Sequence, residues 1–564
     1  MSSIDGLLQG LAMAITPELL VAALAGALMG TLIGVLPGLG PVAGAALILP
    51  LTFAYEPAVG LIMIAGIYLG SQYGGSTTSV LLNIPGEESS IVATFDGHEM
   101  AKKGRAGAAL SIMAVGSCIA GFLGLVILVL AAPVVSEMAM KFGAPEFFAL
   151  TAGGLIVLAR VTGGSIGGGL FPMIIGVGLS TVGTEASSSY NRFTFGNLDL
   201  SLGFALASVA VGLYGISEIV FMLSGRSGAQ KPQKVRLREL LPTREEWRRS
   251  WTPWGRGTLI GFFLGLLPIP SATLSTFGSY KVEQTVSKYR KEIGKGAVEG
   301  IAGPEAANNS AAIGSMVPVL VLGLPFSATL AMMLSAMVVQ GIQPGPLMMT
   351  QHPDVFWSVI AAMFIANIML LVLNLPMVGV WVRVLRTPWH LLIPAIIVFG
   401  VIGSYSLNNN FIDVHIMLAM GVVGYILRLY DFSLASFLVG LVLGEMIEHY
   451  FVQGTFVGRG DIGYFVSTPM SAGIWIGVGL VLLAGMVTPL IKRRAAKRAG
   501  AAPDQSGSAD SGSAPAELPG EDLAAPVESA LVNDATANGT PAGTRPAEHA
   551  HLNHRTADTP REDT

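Results

Sequence analysis

The chain has 564 residues, 52% of them hydrophobic and 12% charged, with a formal net charge of −4, where an ordinary soluble domain is roughly 25% charged. This balance excludes a soluble globular domain, predicts an integral membrane protein and gives no basic surface for nucleic acid. The lone cysteine, Cys118, in an apolar stretch, leaves no disulfide framework and no thiolate metal site.

At the N-terminus no Lys or Arg precedes Lys102, which argues against a cleaved signal peptide and places the N-terminus outside. Segment 22 to 53 reads as a helical hairpin, re-entrant or short, with its tip at 37 to 41. The following apolar span runs into YLGSQYGGSTTSVLLNIPGEESS at 68 to 90. Here Gly74 and Gly75 are expected to break the helix, and Ser76, Thr77, Thr78 and Ser79 to offer hydroxyls. Asn83 follows, and Pro85 with Gly86 is expected to break the helix again. Broken backbone at membrane depth is tolerated only where protein buries it or where it lines a polar cavity. The stretch is therefore a candidate solute or ion site. Its bland alternative is that each hydroxyl bonds a carbonyl one turn back in its own helix.

Lys102, Lys103 and Arg105 mark a cytoplasmic loop. Asp96, Gly97 and His98 before it read as a loop of unassigned role. Four spans are expected next, at about 107 to 133, 145 to 161, 166 to 184 and 201 to 224, leading to a basic cytoplasmic loop at 225 to 256. A second half starting at Gly257 echoes the first. Gly30, Gly34 and Pro37 match Gly261, Gly265 and Pro268 at a spacing of 231, and LLNIPG at 81 to 86 matches VLGLPF at 321 to 326 at 240. Two ordered matches at nearly constant spacing predict an internal duplication. The first copy ends at Lys102, whereas 341 to 356 has no Lys or Arg, so the copies are expected to be inverted. Segment 257 to 280 is then the second hairpin, with Pro268 to Ser271 at its tip. Five more spans are expected at 355 to 382, 389 to 407, 413 to 428, 433 to 448 and 470 to 491. The last is anchored in the cytoplasm by Lys492 and Arg493. The expected fold is all-α and polytopic, with about 10–14 transmembrane or re-entrant segments in two inverted repeats with broken helices. The repeats and their following helices occupy 1–224 and 257–492. The tail at 493–564, rich in Ala, Pro, Gly, Ser and acidic residues, is expected to be disordered and cytoplasmic.

Candidate chemistry concentrates in the broken stretches. Segment 300 to 329 carries Glu305, Asn308, Asn309, Ser310 and Ser315. A carboxylate at the bilayer centre costs about 2.5–3.5 kcal/mol on insertion scales. Glu305 therefore either binds a coupling Na⁺ or H⁺ with Asn308, Asn309 and Ser310, or caps a helix end at the membrane surface. An anionic substrate suits backbone N–H groups at helix starts with hydroxyls beside them. That form occurs at Pro37, Gly38 and Gly40, at 74 to 79, and at Ser271 and Thr273. Pro85, Gly86, Pro268, Pro270 and Pro325 are the expected helix breaks. Glu218, Glu445 and His449 are expected near span ends, and Asp413 at a helix cap. No HExxH, phosphate loop, dinucleotide fingerprint or CxxC is present, so no cofactor is expected beyond the coupling cation.

These motifs resemble the large membrane subunit of the tripartite tricarboxylate transporters (TctA type). The similar text is GTLIGVLPGLGP at 30 to 41, YGGSTTSVLLNIPG at 73 to 86, FDGHEMAKKGRAG at 95 to 107 and GPEAANNSAAIGSMVPVLVLGLP at 303 to 325. DVHIMLAMGVVGYILR at 413 to 428 and LVGLVLGEMIEHY at 438 to 450 extend it. The resemblance implies a bacterial inner-membrane secondary transporter for tricarboxylates or related organic acids, driven by a cation gradient and not an enzyme. It implies as partners a small four-helix membrane subunit (TctB type) and a periplasmic solute-binding protein (TctC type). The chain departs from that pattern at Ile269, where the family usually carries Gly after Pro, and Phe326 stands where the first copy has Gly86. The rival readings are an ion or small-solute channel and an intramembrane enzyme.

Overall fold

The computed structural model describes residues 3–36, 40–52, 54–162, 166–185, 190–224, 237–385 and 389–483. Pro37 and Gly38, part of the basic loop, and the tail lie outside the described residues. The first half holds α1 (Ser3–Ala14), α2 (Pro17–Val35), α3 (Gly40–Thr52), α4 (Pro57–Leu82), α5 (Ile91–Lys102), α6 (Ala106–Ala139), α7 (Ala144–Thr162) and α8 (Ile166–Ser180). After these, α9 (Leu206–Ala210) runs through a π turn into α10 (Ser217–Leu223). The second half holds α11 (Arg244–Gly265), α12 (Ser271–Val286), α13 (Glu299–Gly314), α14 (Ala328–Val339), α15 (Met348–Gln351) and α16 (Pro353–Asn374). There follow α17 (Val378–Val384), α18 (Trp389–Asn408), α19 (Phe411–Leu429) and α20 (Leu434–Val457), then α21 (Pro469–Leu483). Seven helices among the described residues are long and apolar enough to cross a membrane. The only strands there are the two-residue pair Gly183–Thr184 and Asn191–Arg192.

The duplication is written in glycine contacts. A Cβ placed on Gly26, Gly30 or Gly34 of α2 would stand 2.3–2.5 Å from the carbonyl oxygens of Met63, Ile67 and Ser71 on α4. A Cβ on Gly257, Gly261 or Gly265 of α11 would stand 2.1–2.6 Å from those of Gly303, Ala307 and Ala311 on α13. The glycines repeat at 231 and their partners at 240, so both copies build the same close helix pair. Small residues make such an approach possible, and packing rather than hydrophobicity then holds the helices together. The repetition extends beyond the stretches noted above. Leu206-Ala207-Ser208 with Val211-Gly212-Leu213 recurs as Leu434-Ala435-Ser436 with Val439-Gly440-Leu441. Gly212 abuts the Met417 carbonyl on α19, and Gly440 the Met173 carbonyl on α8.

Both copies break at equivalent positions. Helix α4 ends at Asn83 in the left-handed region (φ 58), and the π turn after α13 ends at Gly323 (φ 71), 240 positions later. Pro85 and Pro325 follow, and neither can continue a helix because each lacks an N–H. The chain restarts from Glu87, whose carboxylate accepts the Ser90 N–H, and from Ser327, whose hydroxyl accepts the Leu330 N–H. The copies also interlock. Helix α4 packs with α14 and α16 of the other copy, while α13 packs with α5 and α6. Helix α1 lies on α16, and segment Leu237–Leu240 lies on α6.

Several expectations are corrected. Helix α4 runs unbroken through Gly74 and Gly75. A Cβ on Gly74 would meet the Thr31 carbonyl of α2 at 2.5 Å, and one on Gly86 would meet Gly75 Cα at 2.5 Å. The pair therefore admits close neighbours and does not break the helix. Asp96, Gly97 and His98 lie on α5, not in a loop. Glu218, expected near a span end, heads α10 and is buried in a pair with Arg428 of α19. Asp413 is not a cap: Asn410 caps α19, and Asp413 accepts from Asn408 at 2.9 Å.

Candidate functional site

The polar centre lies where α4, α6 and α13 meet. Glu305 stands in the middle of α13, 4% exposed, and does not cap a helix end. One carboxylate oxygen accepts from Ser76 Oγ of α4 at 2.7 Å, and the other from Ser117 Oγ of α6 at 2.8 Å and Asn309 Nδ2 at 3.1 Å. Asn309 Nδ2 also donates to Ser117 Oγ at 2.7 Å. Asn309 can do this because i and i+4 share a helix face. Every donor is neutral. A small cavity opens against Glu305, lined by Tyr73, Ser76, Thr77, Met113 and Asn374. Beside it Tyr73 Oη donates to Asn367 on α16 at 3.0 Å, and Asn367 donates to the Cys118 carbonyl at 2.8 Å.

The remaining candidates separate. Asn308, next to Asn309, makes no hydrogen bond to Glu305 and lies beside Glu87 at the first break. Ser310 spends its hydroxyl on the Thr258 carbonyl of α11 at 2.8 Å. Thr77 bonds the Tyr73 carbonyl, Thr78 those of Val35 and Gly74, and Ser79 that of Gly75 and the Ser90 hydroxyl. The cluster of four thus yields one side chain, Ser76, to the Glu305 site. The other three mainly satisfy backbone, as Ser and Thr in apolar helices do. Asn83 is exposed in its left-handed conformation. Gly40 opens α3 at φ 60 with open space around it.

At the second hairpin α11 stops at Gly265 and α12 starts after Pro270, leaving Pro268 in the turn between. Ser271 heads α12 and shares a 2.9 Å hydrogen bond with Ser315 at the end of α13. Thr273 is half-buried two residues on. Ser315 and Ser327 both face the Tyr68 hydroxyl. Phe326, in the place of Gly86, is buried against Gly154 of α7 and a cluster that includes Leu324 and Leu443. Pro325 precedes it.

Sequence reasoning missed Ser117, Glu87, Tyr68 and Asp96. Ser117 is one hydroxyl in a long apolar helix, and its signal is long-range. Glu87 follows the Pro85-Gly86 break directly, where a carboxylate has a helix start to cap. Asp96 is 0% exposed and accepts backbone N–H groups from Gly294, Gly296 and Ala297 at 2.7–2.9 Å and the Tyr280 hydroxyl at 3.0 Å. It fastens α5 of the first copy to the turn before α13 of the second.

Residues 20–439 match the family described as the tripartite tricarboxylate transporter TctA family. An Agrobacterium vitis protein, described as an uncharacterized 52.8 kDa protein in the TAR-I ttuC' 3' region, is 43% identical over 494 residues, covering 88% of this chain and 98% of that protein. A second A. vitis protein, described as uncharacterized in the TAR-II ttuC' 3' region, is 42% identical over 234 residues, covering 42% of this chain and 96% of its own length. No solved structure matches.

Proposed function

This chain belongs to the tripartite tricarboxylate transporter TctA family, and from that premise we propose that it is a cation-driven uptake permease for tricarboxylates or related organic acids. As a member it is a multi-pass membrane component of a tricarboxylate transporter. The finer reading is that a TctC-type periplasmic protein delivers the substrate. A TctB-type small subunit completes the complex in the bacterial inner membrane, with the N-terminus outside, the C-terminus cytoplasmic and the two copies inverted.

The observation that carries the coupling is Glu305. It is a carboxylate 4% exposed, with both oxygens on neutral donors. An uncompensated charge in an apolar interior is strongly unfavourable, so a Na⁺ or H⁺ taken up there completes the site. Ser76 on the first copy and Asn309 on the second would then be held to one ion, and binding would tie the copies together. For the anion, the starts of α12 and α14 supply free N–H groups and the partial positive charge of a helix N-terminus, with Ser271, Thr273 and Ser327 beside them. Displacement of this centre against the outlying helices would give alternating access.

The test is uptake of a labelled carboxylate panel into liposomes containing this chain with its small subunit and binding protein, with and without an inward Na⁺ or H⁺ gradient. The expected result is gradient-dependent accumulation that Glu305→Gln reduces to equilibration. Equilibration by the unaltered protein, independent of gradient and binding protein, would instead favour a channel. Conversion of the solute into a new compound would reveal an enzyme.

A further inference from the structure

We propose that Glu87 and Asn308 form a second monovalent-cation position, separate from the one at Glu305; the inference rests on the cation-coupled reading above. Asn308 is 1% exposed, and neither its Oδ1 nor its Nδ2 has a hydrogen-bond partner. Buried amides are almost always paired, so an unpaired one calls for a ligand. It faces Glu87, which the Pro85-Gly86 turn seats against Gly75. Oxygens gather around that carboxylate. Ser89 Oγ donates to Glu87 Oε1 at 2.8 Å and to Gln72 Oε1 at 3.3 Å. The side chains acting on Glu87 are Ser89, Asn308 and the acids Glu305 and Glu88, and none of them is basic. Glu87 itself is half-buried, between the exposed Asn83 and Glu88.

The donor chemistry selects the ligand. A proton needs one oxygen. Here a carboxylate, the Gln72 amide oxygen and the Ser89 hydroxyl lie together with the Asn308 side chain beside them, and oxygen donors of this kind are what hard metal cations take. One carboxylate with neutral oxygens suits a single positive charge. The two positions do not share side-chain donors, because Asn309 hydrogen-bonds Glu305 while Asn308 does not. The duplication does not repeat the feature either: Ser327 stands where Glu87 does, so one break carries a charge and its counterpart does not.

The experiment is equilibrium binding of radiolabelled Na⁺ to the purified full-length chain and its variants, each first checked for a monodisperse elution profile. The expected stoichiometry is two ions for the unaltered chain, one for Glu87→Gln, one for Glu305→Gln and none for the double variant. Asn308→Ala, which changes no charge, is expected to weaken one of the two ions at least tenfold while the other keeps its affinity. A single ion lost with Glu305→Gln but kept by Glu87→Gln and Asn308→Ala would overturn this inference and leave the coupled-transport reading standing. No Na⁺ bound by the unaltered chain would overturn this inference. Two ions retained by Glu305→Gln would instead remove the Glu305 site.

Discussion

Of the four consecutive hydroxyls on α4, only Ser76 reaches Glu305, Thr78 crossing instead to the Val35 carbonyl of α2, and this distinguishes Ser76 from its neighbours by experiment. Ser76→Ala removes a donor from a buried carboxylate, a change that costs about 1–3 kcal/mol. With the hydroxyl goes an oxygen that can turn to ligate Na⁺, and Na⁺ affinity is expected to fall about tenfold or more. Thr77→Val removes only a bond to the Tyr73 carbonyl one turn back and is expected to leave cation affinity within about twofold; titration of uptake against Na⁺ compares the two. Asp96→Asn replaces a carboxylate that accepts three backbone N–H groups by a side chain with one acceptor oxygen. A loss of about 1–3 kcal/mol is expected, read as a lowered melting temperature in detergent. At the charged start of α11, outside its apolar part, burial pushes the Glu246 carboxyl up. The Thr243 N–H and the Arg105 guanidinium outweigh that and hold it below its ordinary 4.5. A carboxylate held low stabilises the fold above its unfolded pKa, and the contribution is lost as pH falls through the lower folded value. The melting-temperature gap between the unaltered chain and Glu246→Gln is therefore expected to be constant above about pH 5 and to shrink below about pH 4.

Between elements, contact is set by glycine. Gly261→Ala would put a Cβ 2.1 Å from the Ala307 carbonyl, and Gly30→Ala one 2.5 Å from that of Ile67. Such overpacking costs about 1–3 kcal/mol or more, and both variants are expected to melt lower or fail to express. Gly255→Ala lies on the same helix as Gly261 but meets nothing within 4 Å. It is expected to be neutral or to gain about 0.5–1 kcal/mol, because Ala is the better helix former. These contacts explain what the sequence disclosed and what it hid. The GxxxG spacing and its recurrence were visible because both are local and ordered. The role of Gly74-Gly75 was misread, because a glycine that breaks a helix and one that admits a neighbour are the same letter until the neighbour is known. The Pro85 and Pro325 breaks were legible, since a missing N–H acts locally. Ser117 was not, because its meaning depends on Glu305, 188 positions away.

Across the whole molecule, the two copies do not sit side by side; each completes the other's core. Helix α4 is covered by α14 and α16 from the second copy, and α13 by α5 and α6 from the first. A cut within 225–236 should therefore leave fragments that are unstable alone and functional together. Co-expression of the fragments, with uptake as the readout, is expected to restore transport, and either one alone is expected to be degraded. The exchange also has a consequence in time. Gly6 and Gly10 of α1 seat against Trp357 of α16, which is translated about 350 residues later, or roughly 20–70 s at common rates of synthesis. The first helix to leave the ribosome is thus among the last to find its place, and in that interval the nascent chain depends on something other than itself to shelter it.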